Sequence, residues 1–431
     1  MEPTSVTQPL RPARFSLESL VFLSLVMLPY VSYGALVGLG LTLLVWLWRW
    51  GKQVWSLLYR QGWVGLTLLL GLSVVASQNP LESALEALNF WPFFIFYAAL
   101  VVAINQLPQP WFTLGRWAHG LVLASLPISL RALLEFYLKA PTNLARWRSY
   151  PWLNWLYLEP DYGHRADAVF GHPNVLASYL VIILGLGLGL CATYLSRPPS
   201  RWSYAIYGAT GLALVGIFCS GSRNGLLVAG LQLVLFFMVI RSGRSLLWAG
   251  LAVGLAMAIA IGVWGVGGRS LTTALSTATL RLDAWRLALE MIPQHPWLGS
   301  GLGTFKHLYN PADFTVPDDL LPHAHNLWLT LAAEVGVPFT LGLTLVVGAM
   351  VLRGTLNLLQ GQGQNLGPDQ ALATGYWLGF IGTALFAIFD LPFYDARVNV
   401  LGWLLLAVIQ QPPPYLGEAT RSTTLLGRKI S

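Results

Sequence analysis

Residues 173–195, PNVLASYLVIILGLGLGLCATYL, decide the fold class because they contain no charged side chain. A helix needs about 20 mostly apolar residues to cross a hydrocarbon core about 30 Å thick. Similar runs recur along the chain, whose 431 residues are 55% hydrophobic and only 10% charged, whereas an average soluble domain is about 25% charged. The sequence therefore predicts an all-α polytopic membrane protein.

Hydropathy predicts about twelve transmembrane helices. A large polar loop, 266–325, separates the ninth span from the tenth and is expected to contain amphipathic helices lying on the membrane surface. The chain divides into N-terminal membrane helices (1–170), a second membrane region (171–411) and a polar tail (412–431). The predicted spans are 16–30, 33–49, 62–77, 88–105, 117–137, 173–195, 203–220, 225–241, 245–265, 326–352, 372–389 and 396–411.

The distribution of Lys and Arg predicts the orientation of these helices. Basic residues concentrate in the segments on the side of the N-terminus, whereas the short loops 78–87 and 390–395 contain neither Lys nor Arg. The positive-inside rule then places both termini in the cytoplasm, with 1–15 as an uncleaved lead-in. The loops 138–172 and 266–325 are consequently expected outside, where most of the polar residues of interest collect.

Composition and motifs exclude two function classes. The formal net charge is +7, but the basic residues are scattered through short loops, so we expect no nucleic-acid partner. The glycine-rich stretch 299–303 lacks a preceding strand and the Lys-Ser/Thr ending of a nucleotide loop. We therefore expect no cofactor.

Arg223 lies in the turn Gly221-Ser-Arg-Asn-Gly225 between two predicted spans. The glycines permit a tight turn, and a guanidinium held at the membrane face can bind phosphate with two hydrogen bonds. This pattern favours a substrate-binding role. An arginine that only anchors the helix end at the interface is the alternative.

Arg281 and Arg286 lie in RLDAWRLALEMI, residues 281–292, where apolar residues recur at helical spacing. The pattern predicts an amphipathic surface helix that Pro293 ends. The two arginines differ by about 140° around such a helix, so they are expected to have different roles. Arg286 is the better candidate to point into a pocket, while Arg281 is expected to pair with Asp283 or lipid headgroups.

His325 and Asn326 stand at the start of the tenth predicted span. A histidine at a wet membrane face is suited to general-base catalysis, and Asn326 can orient it or bind a sugar hydroxyl. His323 completes an HxH pattern, but a metal site usually needs three or four ligands, so no metal is expected. A solvated helix cap is the alternative. His172 is interpreted as part of a structural turn that opens the span at Pro173.

Several of these residues together resemble the O-antigen ligase and O-antigen polymerase superfamily. FYDARVNVLGWLL, residues 393–405, is similar to cyanobacterial members, some of which have been labelled bicarbonate transporters. Phe339 stands where the family pattern has a second glycine after His-Asn. The resemblance covers roughly residues 170–410, and its motifs are Arg223-x3-Leu227, Arg281, Trp285-Arg286, Pro296, Gly299-x-Gly301-x-Gly303-x-Phe305, His325-Asn326 and Glu334-x-Gly336.

The resemblance implies a metal-independent, inverting glycosyltransferase of the plasma (inner) membrane. Such an enzyme takes a glycan from a polyprenyl-diphosphate donor, undecaprenyl diphosphate in bacteria, on the periplasmic side. The acceptor is lipid A-core sugar of lipopolysaccharide for a ligase, or another repeat unit for a polymerase. His325 is then the catalytic base, and Arg223, Arg281, Arg286 and Asn326 bind substrate. Transport of a small anion such as bicarbonate is the alternative, in which Arg131 would matter more than His325.

Overall fold

The structure is a computed structural model that describes residues 17–150, 162–195, 198–240, 271–308, 323–360 and 367–411, with isolated positions between 248 and 265. Every regular element in these ranges is helical, as predicted. The predicted lead-in, the ninth span and the polar tail lie wholly or mostly outside the described residues, as does the part of the large loop from 309 to 322.

Seventeen α-helices follow one another along the described ranges. Two single-turn 3₁₀ helices, Ala87–Asn89 and Pro392–Tyr394, connect some of them. The α-helices are α1 (Leu17–Met27), α2 (Ser32–Arg60), α3 (Trp63–Ala76), α4 (Pro80–Glu86), α5 (Trp91–Asn105), α6 (Pro110–Ala124), α7 (Leu126–Leu138), α8 (Pro141–Arg148), α9 (Pro173–Leu195), α10 (Arg201–Cys219), α11 (Arg223–Ile240), α12 (Leu271–Met291), α13 (Phe305–Leu308), α14 (Leu327–Glu334), α15 (Val337–Gln360), α16 (Pro368–Phe386) and α17 (Ala396–Ile409).

Six helical segments are long and apolar enough to cross a membrane, which supports a polytopic membrane protein. Several of the other predicted spans correspond to shorter apolar helices, such as α3 and α17. The number of twelve spans therefore stays a prediction. The six segments are Ser32–Arg60, Pro80–Asn105, Pro110–Leu138, Pro173–Leu195, Arg201–Cys219 and Val337–Gln360.

The predicted span 326–352 is two helices, α14 and α15, because the chain turns between them at Gly336. Gly336 has φ = 98°, a conformation that residues with a side chain rarely adopt. A Cβ there would lie 2.4 Å from the carbonyl oxygen of Trp297. The break therefore needs a glycine at position 336, and it forms although Phe339 replaces the second glycine of the family pattern.

Close packing of α9 against α16 forms the centre of the bundle. Gly185 and Gly189 of α9 face Gly375 and Gly379 of α16, and a Cβ on Gly185 would lie 2.3 Å from the Gly379 nitrogen. Small residues four apart on both helices let the backbones approach, as is common between membrane helices. The two helices run in opposite directions, so the start of α9 meets the end of α16.

A buried polar side chain joins a third helix to this pair. Gln232 of α11 donates from Nε2 to the carbonyls of Val181 (3.0 Å) and Leu378 (2.9 Å), which belong to α9 and α16. Away from water such hydrogen bonds have few competing partners. The N-terminus of α11 is thereby held beside the same end of the bundle, which we call the site end.

Candidate functional site

Asn174 and Asp390 meet where α9 begins and α16 has ended. Asn174 donates from Nδ2 to Asp390 Oδ2 (2.6 Å), and its Oδ1 accepts a hydrogen bond from Arg165 Nη2 (2.7 Å). Arg165 also donates from Nε to the carbonyl of Ser220 (2.8 Å). These contacts fix the Asp390 carboxylate at the site end of the bundle.

His325 faces the other oxygen of this carboxylate. Its Nδ1 lies 3.4 Å from Asp390 Oδ1, which also accepts the backbone N–H of Leu391 (3.0 Å). His325 has φ = 49°, a left-handed conformation that is unusual for a residue with a side chain and is often found at functional sites. An ionised carboxylate only accepts, so Nδ1 carries the imidazole proton and Nε2 keeps its lone pair. This arrangement is typical of a histidine general base that is oriented by a carboxylate.

Asp390 remains ionised although it is buried. Burial raises the pKa of a carboxyl group, but the hydrogen bond from His325, the charge that His325 and His323 carry at acidic pH, and the charge of Arg281 outweigh burial and hold the pKa of Asp390 well below its usual range. A permanent negative charge at this point would stabilise a proton taken up by the His325 ring.

Arg281 reaches the same place from α12, in the large polar loop. Its Nη1 donates to Asn224 Oδ1 (3.0 Å), and Asn224 Nδ2 donates to the carbonyl of Phe389 (3.3 Å), the residue before Asp390. Burial lowers the pKa of Arg281, and the Asp390 charge opposes that shift. A guanidinium still keeps its charge under such conditions. A cation and a histidine base therefore share this end of the bundle.

Comparison with known families bears directly on this cluster. Residues 208–344 match the family model described as O-antigen ligase. This match supports membership of the O-antigen ligase superfamily. The matched range includes Arg281 and His325 but ends before Asp390. No curated protein sequence matches the chain significantly.

The match confirms the resemblance that the short motifs predicted. In coarse terms it indicates a glycosyltransferase or ligase type of enzyme in a multi-pass membrane protein that acts on a lipid-linked glycan and an acceptor. The polar cluster lies at one end of the helical bundle. The roles of its individual residues are a separate question, which their positions help to answer.

The orientation predicted for Arg286 is wrong. Its side chain is 77% exposed and pairs with Glu290 one turn later on α12, at 3.1 Å. The buried side of α12 instead consists of Ala284, Ala288 and Met291, and its two alanines allow close approach to α14. Arg281 lies about 140° from Arg286 around the helix, so only one of the two can face the site.

Arg223 and Asn326 both lie at helix starts near the site. Arg223 is partly buried and begins α11 after Gly221, whose φ of 61° forms the predicted tight turn. Asn326 caps α14 by accepting the Leu329 N–H (2.9 Å), and its Nδ2 donates to the carbonyl of Ile388 (3.0 Å). Both ends of the Asn326 amide thus hold the His325 segment against the end of α16. Sugar binding by Asn326 stays a prediction.

The described residues contain one group that could hold a metal ion. Donor atoms of His323, His325 and Asp390 all lie within 4.8 Å of one another. However, Nδ1 of His323 already accepts the backbone N–H of His325 (3.2 Å), and Arg281 brings a positive charge close to the carboxylate. Both features weaken cation binding, and a metal-independent reaction remains our prediction.

An apolar cavity of about 440 Å³ extends from the site end into the bundle between α14, α15, α16 and α17. Leu327 and Ala387 line it near the site, and the Leu327 N–H donates to the Ala387 carbonyl (2.9 Å). Deeper lining residues include Val351 and Leu406. Its volume is within the usual range for ligand pockets. Residues that line the cavity therefore stand two positions after His325 and three positions before Asp390 in the sequence.

The glycine-rich stretch 299–303 clamps the end of α14. A Cβ on Gly299 would lie 2.2 Å from the carbonyl carbon of Glu334. The Gly301 N–H donates to the Glu334 carbonyl (2.8 Å), and the Phe305 N–H donates to its buried carboxyl group (2.9 Å). These glycines allow backbone segments to touch, which agrees with rejecting a nucleotide loop and explains their number.

Sequence reasoning missed Asp390, Asn174 and Asn224. Asp390 could have been recognised from the sequence, since it is the one charged residue in ALFAIFDLPFY, residues 384–394. A charged residue near a membrane interior costs free energy and usually has a function. Asn174 was interpreted only as a residue that suits a helix start. Its contact with Asp390 joins residues far apart in sequence, which no local pattern reveals.

Proposed function

We propose that the protein transfers a glycan from a polyprenyl-diphosphate donor to a sugar hydroxyl, with His325 as the general base. The observation that carries this proposal is the Asp390–His325 pair beside the Arg281 guanidinium. A carboxylate-oriented imidazole can remove a hydroxyl proton, and fixed cations can stabilise the charge that develops on a diphosphate. Membership of the superfamily supports the same class of reaction.

In the transfer step, the acceptor oxygen attacks the anomeric carbon while its proton passes to Nε2 of His325. The bond from the anomeric carbon to the diphosphate breaks, and its electron pair leaves on the diphosphate. Arg281 and Arg223 neutralise that charge, in the role a metal ion has in other transferases. Attack opposite the leaving group inverts the anomeric configuration. Asp390 keeps its charge throughout and stabilises the protonated imidazole.

The apolar cavity suits the lipid part of the donor. Its apolar walls begin beside the polar cluster, so a polyprenyl chain could lie within it while the diphosphate stays near the arginines. We propose that the face bearing the cluster is the periplasmic face, as the positive-inside rule predicts for the inner membrane.

Purified protein in liposomes tests the proposal directly. Wild type is expected to move glycan from the polyprenyl diphosphate to an acceptor, and His325→Ala is expected to insert and accumulate normally but transfer nothing measurable. Transfer by His325→Ala at the wild-type rate would contradict the catalytic role. A gene deletion separates the two acceptor classes: loss of all attached chains identifies a ligase, and single attached repeats identify a polymerase.

Small-anion transport predicts a functional Arg131, which the contacts favour less. Arg131 donates to Glu135 at 2.8 Å, one turn away on α7. Glu135 also accepts the backbone N–H of Ala168 at 2.9 Å. These contacts support a structural role for Arg131 in holding the loop before α9. Anion flux into proteoliposomes that depended on Arg131 would favour transport instead.

A further inference from the structure

Two further imidazole rings, those of His172 and His323, border the Asp390–His325 pair and have no role in the transfer step above. Each ring is close enough to His325 and Asp390 for their charges to affect its ionisation. The rings of His323 and His325 lie 4.5 Å apart, nearly perpendicular. Both residues are half-buried at the site end of the bundle, so each keeps some surface that a substrate could reach.

The same short-range hydrogen bond fixes the protonation of both rings. Nδ1 of His172 accepts the backbone N–H of Asn174 at 3.1 Å, and Nδ1 of His323 accepts that of His325 at 3.2 Å. A backbone N–H can only donate, so the receiving nitrogen carries no proton. Each neutral ring therefore has its single N–H at Nε2. Among the residues that the structure describes, neither Nε2 has a hydrogen-bond partner.

The tautomer of these two rings is opposite to that of His325. The carboxylate of Asp390 places the proton of His325 on Nδ1 and leaves Nε2 as an acceptor, whereas the backbone places the proton of the other two rings on Nε2. His325 is thus prepared to take a proton, and His172 and His323 are prepared to donate hydrogen bonds. The three rings form one base and two donors.

Burial keeps the two donor rings neutral. It lowers the pKa of His172, and it lowers the pKa of His323 to about 4. Neutral neighbours do not repel the charge of Arg281. They also leave His325 free to accept a proton, since a charged ring at 4.5 Å would oppose that step.

The loop that carries His172 is held firmly in place. Glu135 accepts the Ala168 N–H at 2.9 Å. Arg397 donates to the carbonyl of Phe170 at 3.2 Å, and its guanidinium stacks over the Phe170 ring at 4.3 Å. A donor on such a loop keeps its position without a ligand, which reduces the entropic cost of binding.

We propose that His172 and His323 form a binding subsite of neutral N–H donors for the hydroxyl oxygens of the transferred sugar. The inference rests on the proposed glycan transfer and adds the part of the site that holds the sugar. Arginines suit the charged diphosphate, whereas neutral donors suit uncharged oxygens. Such donors also disfavour a ligand without those oxygens, because part of their hydrogen bonding would then be lost.

Paired substitutions separate the donor atom from the fold of the loop. Asn at 172 or 323 retains an oxygen near the position of Nδ1 that can accept the backbone N–H, but it has no group at the Nε2 position. Gln has an amide nitrogen near the Nε2 position that can donate. We expect His172→Asn and His323→Asn each to weaken binding of glycan-linked polyprenyl diphosphate by about 3- to 10-fold, the usual effect of one neutral hydrogen bond, and the Gln variants to restore most of it.

Polyprenyl diphosphate without the glycan is the second probe. We expect it to bind all four variants as it binds wild type, because the subsite contacts only the sugar. Equal loss for both lipids would overturn the sugar assignment, and unchanged binding of the glycan-linked lipid by both Asn variants would overturn the subsite. In either case wild-type transfer would leave the proposed function standing, whereas absence of transfer by wild type would remove the proposed function itself.

Discussion

Two buried carboxyl groups, Asp390 and Glu334, have opposite electrostatic environments in this protein. Asp390 receives hydrogen bonds from Asn174 and Leu391, faces His325 and lies near Arg281, so its pKa is held well below its usual range. Glu334 receives N–H groups from the backbone, and burial raises its pKa to about 7. Environments that separate two carboxyl groups in this way usually mark different roles.

The two carboxyl groups differ in the kind of groups that surround them. Around Asp390, side chains from α9, α11, α12 and the segment before α14 converge, and several can donate to an anion or move a proton. Around Glu334, the neighbours are mostly backbone groups of the glycine-rich stretch 299–303. Under the proposed function, the first region carries the chemistry, whereas the second holds the large loop on the bundle.

Asp390→Asn and Glu334→Gln compare the two carboxyl groups with the same chemical change. Asp390→Asn is expected to lower glycan transfer by about 10²-fold or more, because an amide neither fixes the base form of His325 nor stabilises its protonated form. Glu334→Gln is expected to keep transfer within a few-fold of wild type. Initial rates with purified protein, normalised to folded protein, measure both. Equal losses in the two variants would contradict the comparison.

Arg281→Ala and Arg286→Ala compare two arginines on one helix. Removing a cation that stabilises developing charge is expected to lower the rate by about 10²–10³-fold for Arg281→Ala. Arg286→Ala removes an exposed pair with Glu290 and is expected to change little, since exposed pairs contribute about 0–1 kcal/mol. The transfer assay measures both rates. A larger loss for Arg286→Ala would restore the orientation predicted from sequence and reject the observed one.

Gly299→Ala and Gly163→Ala test the clamp beside Glu334. Both glycines have positive φ, 67° and 61°, so both substitutions strain the backbone by about 1–2 kcal/mol. Only at Gly299 would the new Cβ also overlap Glu334, at 2.2 Å, whereas nothing lies within 4 Å of a Cβ at Gly163. Thermal unfolding in detergent is expected to show a clearly larger loss for Gly299→Ala. Similar losses would mean that the clamp adds nothing to the strain.

The raised pKa of Glu334 predicts that the stability of the protein depends on pH. Its folded pKa is about 7, above the value of about 4.3 in an unfolded chain. Its contribution is therefore complete below about pH 4 and is lost as pH rises through 7, by about 4 kcal/mol in total. Glu334→Gln is expected to remove this part of the slope when unfolding is followed by tryptophan fluorescence from pH 5 to 8. An unchanged slope in the variant would contradict the assignment.

The sequence predicted the helical membrane fold well because hydrophobic runs and the lack of charge report directly on the bilayer. It also predicted a helix that ends before Pro293 and the turn at Gly221. The break at Gly336 was visible only as a glycine, since its cause is the carbonyl of Trp297. A local pattern contains no information about such a distant neighbour.

The site was predicted only in part, because some of its contacts join residues that are far apart in sequence. His325, Arg223 and Arg281 stood out because charged or titratable groups are rare near membrane helices. The choice between Arg281 and Arg286 failed because hydrophobicity favoured a face with leucines, whereas α12 buries a face with alanines. Asp390 and Asn174 could be assigned only once packing of α9 on α16 had brought them together.

The central claim is that His325 and Asp390 act as one unit in glycan transfer, and a double-mutant cycle tests it most directly. Single-turnover rates of purified wild type, His325→Gln, Asp390→Asn and the double variant would be measured with the polyprenyl-diphosphate donor. Groups that act together lose their effect together. We predict that the double variant is no slower than the slower single variant. Rate losses that multiply would show independent roles and contradict the account.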